Sequence, residues 1–221
     1  MSRNKSFMYS VAFLSLSIPV QGRFVYGLTL ILELILLELI GTLVDSLVKK
    51  LKFEVIRTYF VMMILISTTI LFRQILVITY SEIALALGLV FYFPTVSTYL
   101  FDSVFFDSEL KLGSKLKENL LRTLKFSFVL ILFYLFRDIL GFGTFTFFGN
   151  EHRIYEKIIL NPDKIGIFMF FASIPGSLIL VGVLIYLLIF FKNKILSYGA
   201  IAEKQNSQNP VNNESSKEEK K

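Results

Sequence analysis

Cysteine and tryptophan are both missing from this 221-residue chain, and histidine occurs once, as His152. Without a thiolate there is no disulfide, no cysteine nucleophile, and no cysteine-ligated zinc or iron–sulfur centre held by this chain alone. A single imidazole builds no metal site by itself. The absence of tryptophan leaves any aromatic belt at a membrane surface to tyrosine and phenylalanine. Charge is also scarce. Asp, Glu, Lys and Arg make up 18% of the residues, against roughly a quarter in an ordinary soluble domain.

What is there instead is hydrocarbon. Apolar residues reach 54%, phenylalanine occurs 24 times, and mean hydropathy is +0.65. The apolar residues come in blocks, several of them near the roughly 20 residues that carry a helix across a 30 Å hydrocarbon layer. Six such segments can be read at 7–20, 24–48, 59–78, 83–101, 126–142 and 165–191. The expected fold class is therefore all-α: a polytopic membrane protein with about six transmembrane helices, forming one transmembrane domain over 1–202. The stretch 203–221 is rich in Asn, Gln, Ser, Lys and Glu. It cannot bury a core and is expected to be a disordered tail.

The first segment is short and follows Arg3 and Lys5, as the apolar stretch of a signal peptide would. Small residues at the usual cleavage positions are not evident, and Pro19 sits where a cut would fall, so a retained span is expected. Orientation follows from the cations. With six spans and an inside N-terminus, seventeen Lys and Arg fall on the inner side: Arg3, Lys5, the stretch from Lys49 to Arg57, the stretch from Lys111 to Lys125, and those from Lys192 onward. Four fall outside: Arg23, Arg153, Lys157 and Lys164. That asymmetry predicts cytoplasmic N- and C-termini. The formal charge of +6 is thus explained by membrane topology, and the expected partner is the lipid bilayer, with no nucleic acid.

Ionisable residues inside apolar segments cost free energy and are candidates for function by default. Segment two carries Glu33, Glu38 and Asp45, segment three Arg73, and segment five Arg137 and Asp138. Helical spacing puts Glu38, Gly41, Thr42 and Asp45 on one face and points Glu33 elsewhere. Counted from the inner ends of the apolar runs, Glu33 and Arg73 lie at similar depth, as do Glu38 and Arg137, which makes a Glu38–Arg137 pair the leading expectation. The functional reading is a polar path for ions or protons. The structural reading is ion pairing that fixes helix register, and it weighs most for Arg73 and Asp45 near the boundaries. Pro94 in segment four, and Pro175 with Gly176 in segment six, are expected to break their helices. Thr95, Ser97 and Thr98 follow Pro94 as small hydroxyl residues suited to close packing or a cavity wall. Six spans divide into three plus three, which would make the halves inverted repeats, although their residues do not visibly match. No catalytic residue or metal ligand set is discernible. Gly141-Phe142-Gly143 lacks the third glycine of a dinucleotide loop, and His152 reads as a solvated loop residue.

Leu135-Phe136-Arg137-Asp138-Ile139-Leu140-Gly141-Phe142-Gly143-Thr144 resembles the L-x-R-E-I-I-G-x-G-T stretch of the integral membrane subunits of Rnf and Nqr complexes. Ile174-Pro175-Gly176-Ser177 followed by Gly182 is similar to their last span. Ile56-Arg57, and Phe93-Pro94-Thr95 with Thr98, fit as well, and the resemblance extends over residues 8–195. It implies six spans in inverted repeats, and membership of an ion-translocating electron-transport complex, a translocase of the bacterial inner membrane. The inside termini resemble the Rnf E and Nqr D type. Pairs of these subunits share an intramembrane iron–sulfur centre. Its cysteines would fall here within Phe13–Ser15 and on Leu100, and neither place offers a thiolate. The resemblance therefore implies a non-catalytic subunit serving ion path or assembly. It would bind no cofactor alone, with flavin or iron–sulfur centres in its membrane-subunit partners. The alternative is an independent secondary transporter or a non-redox scaffold on the same fold.

Overall fold

A computed structural model describes residues 16–51, 56–105, 112–149, 153–160, 168–187, 190 and 194, with backbone alone over 100–105. The chain divides into two compact units, Met1–Ile179 and Leu180–Lys221. The first unit is mostly helical. Helix α1 spans Phe24–Lys50 and α2 Arg57–Thr79. A broken helix follows, made of α3 (Ser81–Leu87), a 3-10 turn (Gly88–Phe91) and α4 (Tyr92–Phe105). Helix α5 runs Leu112–Phe142, and a second 3-10 turn, Phe168–Ala172, precedes α6 (Ile174–Leu187). In the second unit, residues 180–187, 190 and 194 are helical.

Three of these stretches are long and apolar enough to cross a membrane: Phe24–Lys50, Arg57–Thr79 and Ser81–Tyr99. Their surface says the same. On α2 only Val61, Leu65, Thr69 and Leu76 are buried, a single stripe at helical spacing, whereas Tyr59, Met63, Leu71, Ile75 and Ile78 face outward. A water-soluble helix has the opposite arrangement, polar outside and apolar inside. Several hydroxyls in these helices are satisfied without water. Thr29, Thr42, Ser67 and Thr68 each donate to the carbonyl four residues back, at 2.8–2.9 Å, as expected where the backbone is the nearest acceptor. By length and composition these three helices are compatible with a membrane protein.

Six spans are not reached among the described residues, and the reasons differ. Segment one lies outside them but for its end, where Leu16 and Ser17 are helical and the chain then bends. Helix α5 has 31 residues, but its apolar stretch is bounded by Lys125 on one side and holds Arg137 and Asp138 on the other. It also starts at Leu112 instead of 126, because Leu, Lys, Glu and Arg over 115–125 are good helix formers. Segment six is helical from Ile174 only, and 161–167 lie outside the described residues, as does the tail expected at 203–221.

The all-α expectation needs correction too. Thr144–Phe148 (β1) and Ile154–Ile158 (β2) form an antiparallel hairpin, with Thr146 opposite Glu156. The sequence Thr-Phe-Thr-Phe-Phe alternates β-formers of two kinds, and Gly143 leaves α5 at φ 64°, a left-handed conformation that glycine adopts without a steric penalty.

Helix α1 is the axis of the first unit. It packs most extensively against α5 and also meets α2, α4 and β1. Against α5 it runs antiparallel in one constant register, shown by Asp45 on Lys115 at 2.6 Å, Thr42 on Asn119 at 3.2 Å, and the α1 N-terminus on Asp138 at 3.1 Å. Between those points Gly27 makes room for the Tyr134 ring, since a Cβ there would lie 2.1 Å from a ring carbon. Against α2 the register is set by Asp45 with Arg57 and by the Leu37–Leu65 contact.

Candidate functional site

Five of the six ionisable candidates are buried: Glu33, Glu38, Asp45, Arg137 and Asp138. Arg73 is partly buried, and its Nε has no hydrogen-bond partner. The structure sorts them into three environments.

Asp45 lies near the C-terminal end of α1. Its Oδ1 accepts from Arg57 Nε at 2.6 Å and also meets the Arg57 Nη2. Its Oδ2 accepts from Lys115 Nζ at 2.6 Å, with Lys49 Nζ at 3.9 Å. One carboxylate therefore joins α1, α2 and α5. Its charge is more than balanced, which is the condition under which a buried carboxylate is tolerated.

Asp138 and Arg137 hold the opposite end. Asp138 Oδ2 accepts from the backbone N–H of Phe24 at 3.1 Å, from Thr146 N–H at 2.9 Å and from the Thr146 hydroxyl at 2.7 Å. Its Oδ1 takes the Thr144 hydroxyl at 3.1 Å. It supplies to α1 an N-terminal acceptor and a favourable charge, and it anchors β1. Arg137, with 0% exposure, donates to four backbone carbonyls: Phe171 at 3.2 Å, Ser17 at 3.1 Å, Ala172 at 3.0 Å and Ser173 at 3.2 Å. These carbonyls belong to a bend and a 3-10 turn, where helical partners are lost. Four of the five guanidinium donors thus satisfy backbone carbonyls that lipid would leave bare.

The expected Glu38–Arg137 pair does not form. Arg137 neighbours Asp138, which sits at Phe24, whereas Glu38 lies about 21 Å further along α1 at 1.5 Å per residue. The α1–α5 register puts Glu38 level with Thr123. The depth estimate failed because it assumed that helix five begins where its apolar run begins. Glu33 and Arg73 are not joined either, since Arg73 lies about one turn beyond the residue level with Glu33.

Glu33 is the third environment. It has 0% exposure and lies one turn before Leu37, which packs against α2. Neither carboxyl oxygen has a hydrogen-bond partner. The Thr69 hydroxyl lies close enough to act on the carboxyl, yet it shares its hydrogen bond with Thr95 Oγ1 at 2.7 Å. Thr98 Oγ1, one turn on from Thr95, is also buried and unpartnered, as is Ser127 Oγ on the stripe of α5 that faces α1. Carboxyl and hydroxyl oxygens from α1, α2 and α4 thus converge in an apolar surround. Hard oxygen donors of this kind suit a proton or a small hard cation. Glu38 contributes a second buried carboxyl.

Pro94 and Pro175 stand at helix starts and not at kinks within helices. Pro94 stands in the first turn of α4, and Pro175 is the second residue of α6. There a missing N–H costs little, so both prolines start helices after a 3-10 turn. Gly176 packs its Cα against the preceding turn, where a Cβ would lie 2.1 Å from the Phe170 carbonyl oxygen. Thr69 was not singled out by the sequence, and Arg57 and Lys115 were read there without a partner in Asp45. For Thr69 the signal was its place in the stripe Val61, Leu65, Thr69.

Among the described residues no group of three or more His, Asp or Glu is placed to hold a metal. The thiolate-bound iron–sulfur centre of Rnf and Nqr subunits does not fit a chain without cysteine. Comparison with protein families, with curated proteins and with solved structures found no match.

Proposed function

We propose that this chain is a non-catalytic integral membrane subunit of an ion-translocating complex of the Rnf/Nqr type, in which it serves the ion path through Glu33. The observation that carries the proposal is the Glu33 carboxyl, wholly buried and without a hydrogen-bond partner for either oxygen. An ionised carboxylate in that setting is unfavourable by several kcal/mol. A proton or a cation bound among Glu33, Thr69 and Thr95 removes that cost, and exchange of the bound species is what an ion path requires. The complex type rests on the sequence likeness at Leu135–Thr144 and Ile174–Ser177.

The residues at the two ends of α1 agree with the orientation expected from the cations. Lys49, Lys50, Arg57 and Lys115 gather at one end, which we assign to the cytoplasm of a bacterial inner membrane, and Arg23 pairs with Glu156 of the hairpin at the other. A topology reporter fused after Lys115 should read inside and one fused after Glu82 outside; the reverse pattern would remove the orientation.

The test of function is affinity purification of the tagged chain in mild detergent, with identification of co-purifying proteins and an absorbance spectrum. Flavin- or iron–sulfur-containing partners are the expected result. A chain that purifies alone, and moves ions in proteoliposomes by itself, is an independent transporter and would overturn the subunit reading.

A further inference from the structure

Glu33 of α1 and Arg73 of α2 are ionisable groups of opposite sign, and neither is satisfied where it stands. Both Glu33 oxygens and the Arg73 Nε lack a hydrogen-bond partner, and Arg73 forms no ion pair among the described residues. The Thr69 hydroxyl lies beside the Glu33 carboxyl. Arg73 follows Thr69 by one turn of α2, a spacing that sets Cβ atoms about 5–6 Å apart. Side chains on a helix lean back over the turn N-terminal to them, so Arg73 leans towards Thr69 and Glu33. Its long stem can lie along that turn without movement of the backbone. Arg73 is half-buried, and the neighbouring Phe72 meets Phe91 edge-on at 6.3 Å. That contact puts Arg73 level with the 3-10 turn between α3 and α4.

The other charged groups around this pair are engaged or distant. Helix α2 packs against α1, α3 and α4. On α1, Asp45 is held by Arg57 and Lys115, and Glu38 lies beyond Glu33 on the side away from Arg73. On α3, Glu82 is exposed. Helix α4 brings Tyr92 and Tyr99, both half-buried, and its Asp102 stands about two turns past Thr95, again away from Arg73. On α5, the charged residues nearest the level of Glu33 are Lys125, which is exposed, and Arg137, already bound to four carbonyls.

We propose that Arg73 is the exchange partner of Glu33: when the carboxyl gives up its proton or bound cation, the guanidinium moves one turn along α2 and takes that place. The proposal rests on the reading of Glu33 as the ion-handling group. A proton released in this way passes from the carboxyl oxygen to water, the bonding electron pair stays on the carboxylate, and a guanidinium keeps its charge throughout. Pairing relieves both groups at once, so the vacated site is not a bare carboxylate in hydrocarbon. An incoming proton or cation then has to displace Arg73 to bind.

The test is the pH profile of carbodiimide labelling at Glu33, read by peptide mass spectrometry on the full chain in membranes. Arg73→Met is the main variant, since it fills a similar volume and strands no bonded partner. With the competing cation gone, the carboxyl keeps its proton to higher pH. The labelling midpoint should therefore rise by on the order of one pH unit, tenfold in proton activity. Arg73→Gln should act alike, and Arg73→Lys should bring the midpoint at least halfway back. Arg153→Gln, which alters an exposed arginine of the hairpin, should leave it in place. Asp45 unlabelled in every variant shows that the fold is kept. An unchanged midpoint in both Arg73→Met and Arg73→Gln, or an equal rise in Arg153→Gln, would overturn the exchange and leave Glu33 as the ion-handling group. No label on Glu33 in any variant at any pH would instead remove the reading beneath it.

Discussion

Asp45 and Glu33 stand about three turns apart on α1, each beside a residue of α2 (Arg57 and Thr69 respectively), and their surroundings are opposite. Asp45 meets cations from α1, α2 and α5, so its charge is a fixed part of the structure. Glu33 has the Thr69 hydroxyl beside it, itself hydrogen-bonded to Thr95, and its own oxygens are left without hydrogen-bond partners. A carboxyl with every partner in place holds helices in register. One that lacks partners, at membrane depth, costs stability and is retained for something else. The contrast teaches that burial alone did not separate structural from functional charges in this chain. The state of each oxygen did.

The largest effect should come from the satisfied side. Asp45→Ala leaves Arg57 and Lys115 facing each other in a half-buried site, and should lower stability in detergent by about 3–5 kcal/mol in chemical or thermal unfolding. A loss below about 1 kcal/mol would mean that water already screens this cluster. Arg137→Met comes next. It removes donors from four carbonyls of the Ser17 bend and the 168–173 turn, with an expected loss of about 3 kcal/mol. Protease should then cut first near those turns, and cleavage elsewhere would contradict the clamp.

Smaller effects sharpen the comparison from the other side. Arg137→Met and Glu38→Met should be additive within about 0.5 kcal/mol, because the two sites are distant and share no partner. A coupling energy well above that value would restore the ion pair that the sequence suggested. Glu33→Leu should change stability by less than about 1 kcal/mol, or raise it, since a well-packed apolar side chain replaces an unpartnered polar one. A loss like that of Asp45→Ala would show that Glu33 is structural.

The parts of the fold legible in the sequence were those set by uninterrupted hydrocarbon. Segments two and three, read at 24–48 and 59–78, became α1 at Phe24–Lys50 and α2 at Arg57–Thr79. Apolar runs report the lipid layer and little else. They could not report that α5 continues for over three turns beyond its apolar part, and so the depth of Arg137 was misjudged. The hairpin was hidden for a related reason: its alternation covers five residues per strand, too short to stand out beside long apolar blocks. Asp138 shows the same limit. Its partners, Phe24 N–H and Thr146, come from two other elements, and spacing along one helix cannot show them. The Thr95 and Thr98 hydroxyls were visible because Pro94 drew attention to them. Thr69 was hidden among Ser67 and Thr68, two neighbours whose hydroxyls merely bond back to their own helix.

The contrast between the two carboxyls can be measured on one protein at once. A membrane-soluble carbodiimide modifies carboxyl groups that carry a proton in an apolar setting, and it spares carboxylates held by cations. Applied to the full chain in membranes, with peptide mass spectrometry as the readout, it should label Glu33 and leave Asp45 unmodified. Labelling of Glu33 should slow in the presence of the transported cation, at higher pH, or both. Absence of label on Glu33 under all conditions, or equal labelling of Asp45, would contradict the assignment of Glu33 as the ion-handling group.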